Sequence, residues 1–397
     1  MSRCPMRFRP NRRRHRGRGG ALWCSPVPCR GGPVPSARKC PRRDPWAQRL
    51  SRPAKGWAAT KQRKPAAAIG QMAPRDRRRT MAEGRVSPVR GARAFVTDWM
   101  AAWNRFWFEP LLPHTLAVIR VFTGAMAAYI HAIWLSHVDD FMGPTPWVDR
   151  PAWEALHDRD WAWSWLWYFD QPALLIGHQV VAIVAALALM VGLATRITSV
   201  LSWWLMLMVC HRLTLALFGL DQIVVMLLMY LMLSQCGGVW SIDRRLRSRI
   251  GPRWWLATDQ PHFSNRVATR LIQLHLCVIY AFSGLSKARG EMWFDGSALW
   301  YALVNYEYQS LDLVWLGRYP WLVSLLTLAT LFWETFYCAL VWPRLTRPFV
   351  LGMAVVVHGG IALALGMPTF GWMMIVANMA FIQPQAVRRI VGKLLNR

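Results

Sequence analysis

The sequence predicts an all-α fold: a polytopic transmembrane helical bundle of about eight spans, with both termini on the cytoplasmic side. Three observations carry that reading. Of 397 residues, 54% are apolar and 25 are tryptophan, and mean hydropathy is +0.18 despite a net charge of +28, a composition typical of membrane proteins. Eight apolar stretches each approach the ~20 residues that a bilayer crossing needs. The basic residues between them fall on one side when the spans are threaded in order.

The chain divides near residue 94. Residues 1–94 hold 26 Lys and Arg against three acids (Asp44, Asp76 and Glu83), so they supply +23 of the net charge and residues 95–397 only +5. The segment is arginine-dense around Arg12-Arg13-Arg14, then rich in Pro and Ala, with almost no apolar periodicity. It cannot bury enough surface to order itself, and a disordered tail is expected. A second reading is that translation starts at Met72, Met81 or Met100 and the upstream residues are not made. Anionic lipid headgroups would attract such charge, but nucleic acid is not expected as a partner, because no folded nucleic-acid module or aromatic interleaving accompanies it. No apolar h-region follows Met1, so insertion is expected to rely on the first spanning helix. Cys4, Cys24, Cys29 and Cys40 lie in the tail, and Cys210, Cys236, Cys277 and Cys338 are scattered singly through apolar runs, a spacing that matches neither a disulfide framework nor a zinc site.

In order, the expected spans are 115–136, 172–193, 198–217, 220–240, 266–287, 320–342, 347–365 and 368–384. Arg196 joins the second to the third. Arg244, Arg245, Arg247, Arg249 and Arg253 follow the fourth, Arg344 and Arg347 the sixth, and Arg388, Arg389, Lys393 and Arg397 the eighth. The positive-inside rule makes that side cytoplasmic, in a cell inner membrane. The opposite side receives two longer loops, 137–171 and 288–319. The first sets Trp147, Trp153, Trp161, Trp163, Trp165 and Trp167 beside Asp139, Asp140, Asp149, Asp158, Asp160 and Asp170. Tryptophan favours the headgroup boundary, so this loop is expected to lie on the membrane.

The fifth span holds the best candidate site. Gln273, Cys277, Tyr280, Gly284 and Lys287 recur at helical spacing and form one polar stripe, which should face into the bundle. The plain reading of Lys287 is a lysine snorkelling from a helix end. Its company argues for more: Trp293, Asp295 and Gly296 follow directly, Glu334 lies inside the sixth span, and Asp221 opens the fourth. An intramembrane acid is a functional candidate, the structural alternative for Glu334 being an ion pair with Arg212 or a hydrogen bond to Tyr337. His358 and His275 are weaker candidates, since a neutral histidine bonded to a backbone carbonyl is common. No metal or nucleotide motif occurs, and no metal is expected.

At these residues the chain resembles the membrane proteins with the HTTM (horizontally transferred transmembrane) domain, which are similar to vitamin K-dependent gamma-carboxylase. The matching pieces are Arg120-Val-Phe-Thr-Gly124, Gly192-Leu-Ala-Thr-Arg196, Gly219-Leu-Asp221, Trp240-Ser-Ile-Asp243, Ile279 through Lys287 with Trp293-Phe-Asp295-Gly296, then Glu334 and His358. The ordered set spans about 110 to 384. The resemblance implies a compact helical bundle whose reactive pocket opens on the non-cytoplasmic side. It also implies that Lys287 matches the lysine taken as the base that deprotonates reduced vitamin K, after which oxygen chemistry leads to glutamate carboxylation. Leu220-Asp221 stands where the eukaryotic carboxylases carry an Asn-His pair, and the chain ends at Arg397 without their large extramembrane domain. Carboxylation of a propeptide-bearing protein is therefore not expected.

Two functional readings follow. The first is an enzyme acting on a quinol or small lipid-soluble substrate, with Lys287 as base, Asp221 and Glu334 as polar partners, and Trp293, Asp295, Tyr280 and His358 binding substrate; a reduced quinone is suggested by the resemblance alone. The second is a non-catalytic membrane protein that binds a lipid or a partner through its tryptophan-rich loop. A transporter ranks third, since the two halves show no internal repeat. The bilayer is the partner that composition implies, and no protein partner is indicated.

Overall fold

The computed structural model describes residues 88–143, 146–149, 151–152, 155, 161–169 and 171–395. The basic tail through residue 87 lies outside them, as do Trp153, Asp158, Asp160 and Asp170 of the first external loop, and Arg397. The described chain opens with α1 (Pro88–Phe108), on which Trp99, Trp103 and Trp107 recur every fourth residue and so share one face, with ring centroids 5.7 and 5.9 Å apart. Then follow α2 (His114–Ser136), α3 (Val138–Met142), α4 (Pro172–Val191), α5 (Thr195–Arg212), α6 (Gly219–Leu231) and α7 (Ile242–Ile250). The second half comprises α8 (Phe263–Lys287), α9 (Glu291–Phe294), α10 (Ala298–Leu303), α11 (Pro320–Leu340), α12 (Arg347–Ala364), α13 (Pro368–Asn378) and α14 (Pro384–Leu395). The described residues form no strand beyond the isolated bridge between Leu111 and His262. The fold is all-helical.

Helices α2, α4, α8, α11 and α12 are long and apolar enough to cross a bilayer. The other three expected spans fall on α5, which is less apolar, and on α6 and α13, which have 13 and 11 residues. The stretch 220–240 leaves its helix after Leu231 and reaches Ser241 through turns.

Apolar side chains cover both the inside and the outside of the bundle. Ile119, Leu189, Leu227, Ile272, Tyr337, Ala354 and Met374, drawn from seven helices, pack into one core. On the outside, Val184, Phe282, Phe332, Phe349 and Leu363 remain 58 to 78% exposed. So many large apolar groups facing outward suit hydrocarbon rather than water, and the chain is a multi-pass integral membrane protein.

Reciprocal backbone hydrogen bonds between Leu111 and His262, 3.2 and 3.1 Å long, fix the starts of α2 and α8 at one end of the bundle. A polar knot holds that same end. Arg120 of α2, fully buried, donates to the carbonyls of Leu189 (2.6 Å), Met190 (2.7 Å) and Trp240 (2.8 Å). Two of these are carbonyls that the C-terminus of α4 leaves without intrahelical partners. Gly192 closes α4 at φ +76°, and a Cβ there would also run into Ser241 and the Arg120 guanidinium. Ala194 precedes α5 and has no side chain to cap it. Asp243 supplies the cap from α7, accepting from Ala194 N (2.6 Å), Thr195 N (2.9 Å) and Thr195 Oγ1 (2.6 Å). Residues of three short motifs singled out in the sequence thus meet in one place, where they tie α2, α4, α5 and α7 together.

Candidate functional site

The site lies where α8 crosses α11. The crossing is close because Gly284 has no side chain: a Cβ there would stand 2.6 Å from the backbone nitrogen of Thr335. Either side of the glycine, Ser283 and Lys287 lie one turn apart and look toward Glu334. Lys287 Nζ donates to Glu334 Oε2 at 2.5 Å and to Ser283 Oγ at 2.6 Å, and Ser283 Oγ donates to the same carboxylate oxygen at 3.0 Å. The Glu334 side chain is 9% exposed and that of Lys287 26%. On the open flank the Trp293 ring centroid lies 5.3 Å from Nζ.

The depth of this pair is the unexpected feature. Glu334 lies about two thirds of the way along the 21-residue α11, ~20 Å from its start at 1.5 Å per residue. Helix α8 therefore ends well inside the span of α11. The outer part of α11 is flanked instead by the segment after Lys287, where Leu299 N donates to Thr327 Oγ1 at 3.2 Å. Lys287 does not snorkel to a free edge; its ammonium is held by an acid along the body of the neighbouring helix.

A second polar layer lies on the same seam, toward the other end of α8. Tyr337 Oη donates to Asn378 Oδ1 (2.6 Å), while Asn378 Nδ2 donates to Tyr280 Oη (2.9 Å) and to the carbonyl of Met374 (2.9 Å). Tyr280 Oη is also hydrogen-bonded to His358 Nε2, 2.7 Å away. The other ring nitrogen of His358, Nδ1, is buried without a hydrogen-bond partner. The chain of bonds links α8, α11, α12 and α13.

The structure therefore brings together Lys287, Glu334 and Trp293, and sets Tyr280 and His358 in the adjoining layer. Asp295 and Asp221 stand elsewhere. Asp295 is exposed in the turn after α9 and accepts from Ser297 N (2.8 Å) and Ser297 Oγ (2.6 Å), bonds that hold its carboxyl below the ordinary range. Asp221 is buried in the first turn of α6 and accepts from Phe218 N at 2.9 Å, so it serves as a helix cap. The structural alternatives for Glu334 are not realised, since Arg212 stacks on Trp167 and Tyr337 bonds Asn378. His275 is bonded by the Tyr230 hydroxyl at 2.9 Å rather than by a carbonyl.

Ser283 and Asn378 were not among the expected site residues. Ser283 could have been found from its position four residues before Lys287, and Asn378 as a lone amide in an apolar run.

The glycine crossing gives a direct test. Gly284→Ala is expected to destabilise the protein by about 1–3 kcal/mol and to loosen the Lys287 pair, because two helix backbones must separate. In Gly177→Ala on α4, where a Cβ meets nothing within 4 Å, stability should hold or rise by up to ~1 kcal/mol. Thermal unfolding of both variants in detergent makes the comparison.

Comparison with models of known families, with curated proteins and with solved structures finds no match to this chain.

Proposed function

We propose that this protein is a membrane enzyme that takes a proton from a quinol or similar small lipid-soluble substrate at the Lys287–Glu334 pair. The observation that carries the reading is an ion pair at depth in the bundle with an aromatic face, Trp293, on its open side. An ammonium has no lone pair and cannot accept a proton. Transfer of one proton within the pair, from Lys287 Nζ to Glu334 Oε2, leaves a neutral amine and a neutral acid without changing the net charge. The amine can then accept the substrate hydroxyl proton, and the ammonium so formed stabilises the oxyanion left on the substrate. Ser283, bonded to both groups, keeps them in register.

The residues fit a hydroquinone in donor and acceptor chemistry. Lys287 and Glu334 would hold its hydroxyl, and Trp293 would lie against its ring. Such a group, when bound, supplies a weakly acidic hydroxyl and reducing electrons. Tyr280 and His358 stiffen the wall next to the pair; Asp221 acts through helix α6, and Asp295 through the turn at the entrance.

The wider assignment belongs to the same reading. The chain is taken as an HTTM-like relative of the transmembrane part of vitamin K-dependent gamma-carboxylase, crossing an inner membrane eight times with both termini in the cytoplasm. Support comes from the ordered motifs, from the Arg120 knot in which several of them meet, and from arginines such as Arg244, Arg245 and Arg247 at a single end of the bundle.

The test is to purify the protein from its native membranes, identify bound lipids and quinones by mass spectrometry, and assay oxidation of reduced quinones with dioxygen as the electron acceptor. A co-purifying quinone and a turnover lost in Lys287→Ala, with insertion unchanged, are the expected results. Turnover that survives in Lys287→Ala would overturn the proposal.

A further inference from the structure

At the end of the bundle reached by the C-terminus of α5, a second charged group lies outside the Lys287 site. Arg212 is the last residue of that helix and only 6% exposed. The face of its guanidinium stacks on Trp167, with Cζ 3.3 Å from the ring centroid. Stacking satisfies the face of the ion but none of its five N–H donors, which point out along the edge. Among the described residues Arg212 has no ion-pair partner and no hydrogen bond, and its Nε is buried without an acceptor. An arginine keeps its charge, so a largely buried guanidinium whose Nε is enclosed without an acceptor calls for an anion.

Two cavities meet at this side chain. One, of about 380 Å³, is lined by Gly143, Pro146, Asp149 and Phe169; the other, of about 300 Å³, is walled by Phe141, Trp147, Leu213 and Leu215. Arg212 lines both. A polar chamber and an apolar chamber joined at an unpaired guanidinium match a molecule with an acidic head and a hydrocarbon tail.

We propose that Arg212 binds the oxyanion of an anionic amphiphile, a phosphate or carboxylate head on the guanidinium edge with its hydrocarbon along Trp147 and Leu215. The site is independent of the Lys287 pair and of the quinol reading. Asp149, exposed on the wall of the polar chamber and accepting from Ala152 N at 2.9 Å, disfavours heads of higher negative charge.

The test uses the full chain in detergent and three probes: dihexanoylphosphatidylglycerol, dihexanoylglycerol, which lacks the phosphate, and inorganic phosphate. The phosphatidylglycerol should bind and the other two bind at least about tenfold more weakly, since charge and tail each contribute. Arg212→Lys keeps the charge but loses the bidentate edge, and should weaken phosphatidylglycerol binding about tenfold. Trp147→Ala, at a position 77% exposed and so harmless to folding, should weaken the lipid but leave inorganic phosphate unchanged. Asp149→Asn should tighten the lipid by a few fold. Full affinity in Arg212→Lys, equal binding of dihexanoylglycerol, or equal binding of inorganic phosphate would each overturn the assignment.

Discussion

Glu334→Gln is expected to lower the stability of the folded protein by about 2–4 kcal/mol, toward the range for breaking a buried ion pair from one side. The reason is what it leaves behind. Lys287 is three quarters buried, and with the carboxylate gone its ammonium keeps only the Ser283 hydroxyl and whatever the glutamine carbonyl offers. Removing both charges should be far milder: Lys287→Met with Glu334→Leu replaces the pair by apolar groups of similar size, and most of the loss should return. A double-mutant cycle on thermal or denaturant unfolding in detergent measures the coupling directly. The same double variant separates architecture from chemistry. It should be folded and without quinol oxidation, whereas a folded double variant that still turns over would remove the pair from the mechanism. A coupling energy below ~0.5 kcal/mol would mean that the contact is incidental.

Hydropathy made five candidate spans legible, because a long apolar run and a long helix coincide in α2, α4, α8, α11 and α12. In the stretch 220–240 it outran the helix for identifiable reasons. After Leu231 the chain stays apolar through Met232, Leu233 and Val239, yet Gln235 N is held by Asn265 Oδ1 at 2.8 Å, and Gly238 packs against the backbone of Thr258. Mean hydropathy cannot register those backbone contacts; the Gly237-Gly238 pair was the available signal. The polar stripe on α8 was legible from period alone, and Gln273, Cys277, Tyr280 and Gly284 are all buried. Glu334 was legible as one of two polar partners of Lys287, with Asp221; which of the two pairs with it was not, since that depends on the stagger between α8 and α11, which loop length does not determine. Asp221 illustrates the opposite ambiguity. An acid opening an apolar helix can serve a pocket or cap the helix, and its bond to Phe218 N places it as a cap.

The other large effect is expected far from the site. Arg120→Ala should destabilise the protein by about 3–5 kcal/mol, the upper range for a single substitution. The carbonyls of Met190 and Trp240 would lose this donor at ~1–3 kcal/mol each, while that of Leu189 would keep Gly192 N at 3.0 Å. The sum is not realised in full, because the mutation also removes the desolvation cost of the buried guanidinium. Lysine can reach one of these carbonyls but cannot span three, so Arg120→Lys should fall between wild type and Arg120→Ala. Unfolding in detergent ranks the three proteins, and a loss below ~1 kcal/mol in Arg120→Ala would show that the knot does not hold the bundle. Because α2 and α8 start at the same end and Lys287 closes α8, the knot lies near the start of α8 and the ion pair at its far end. Quinol turnover per folded molecule should therefore persist in Arg120→Lys at temperatures where it remains folded. A variant that loses stability without losing specific turnover, set beside Lys287→Ala losing turnover while still inserting, would assign the architecture and the chemistry of this chain to separate parts of one bundle.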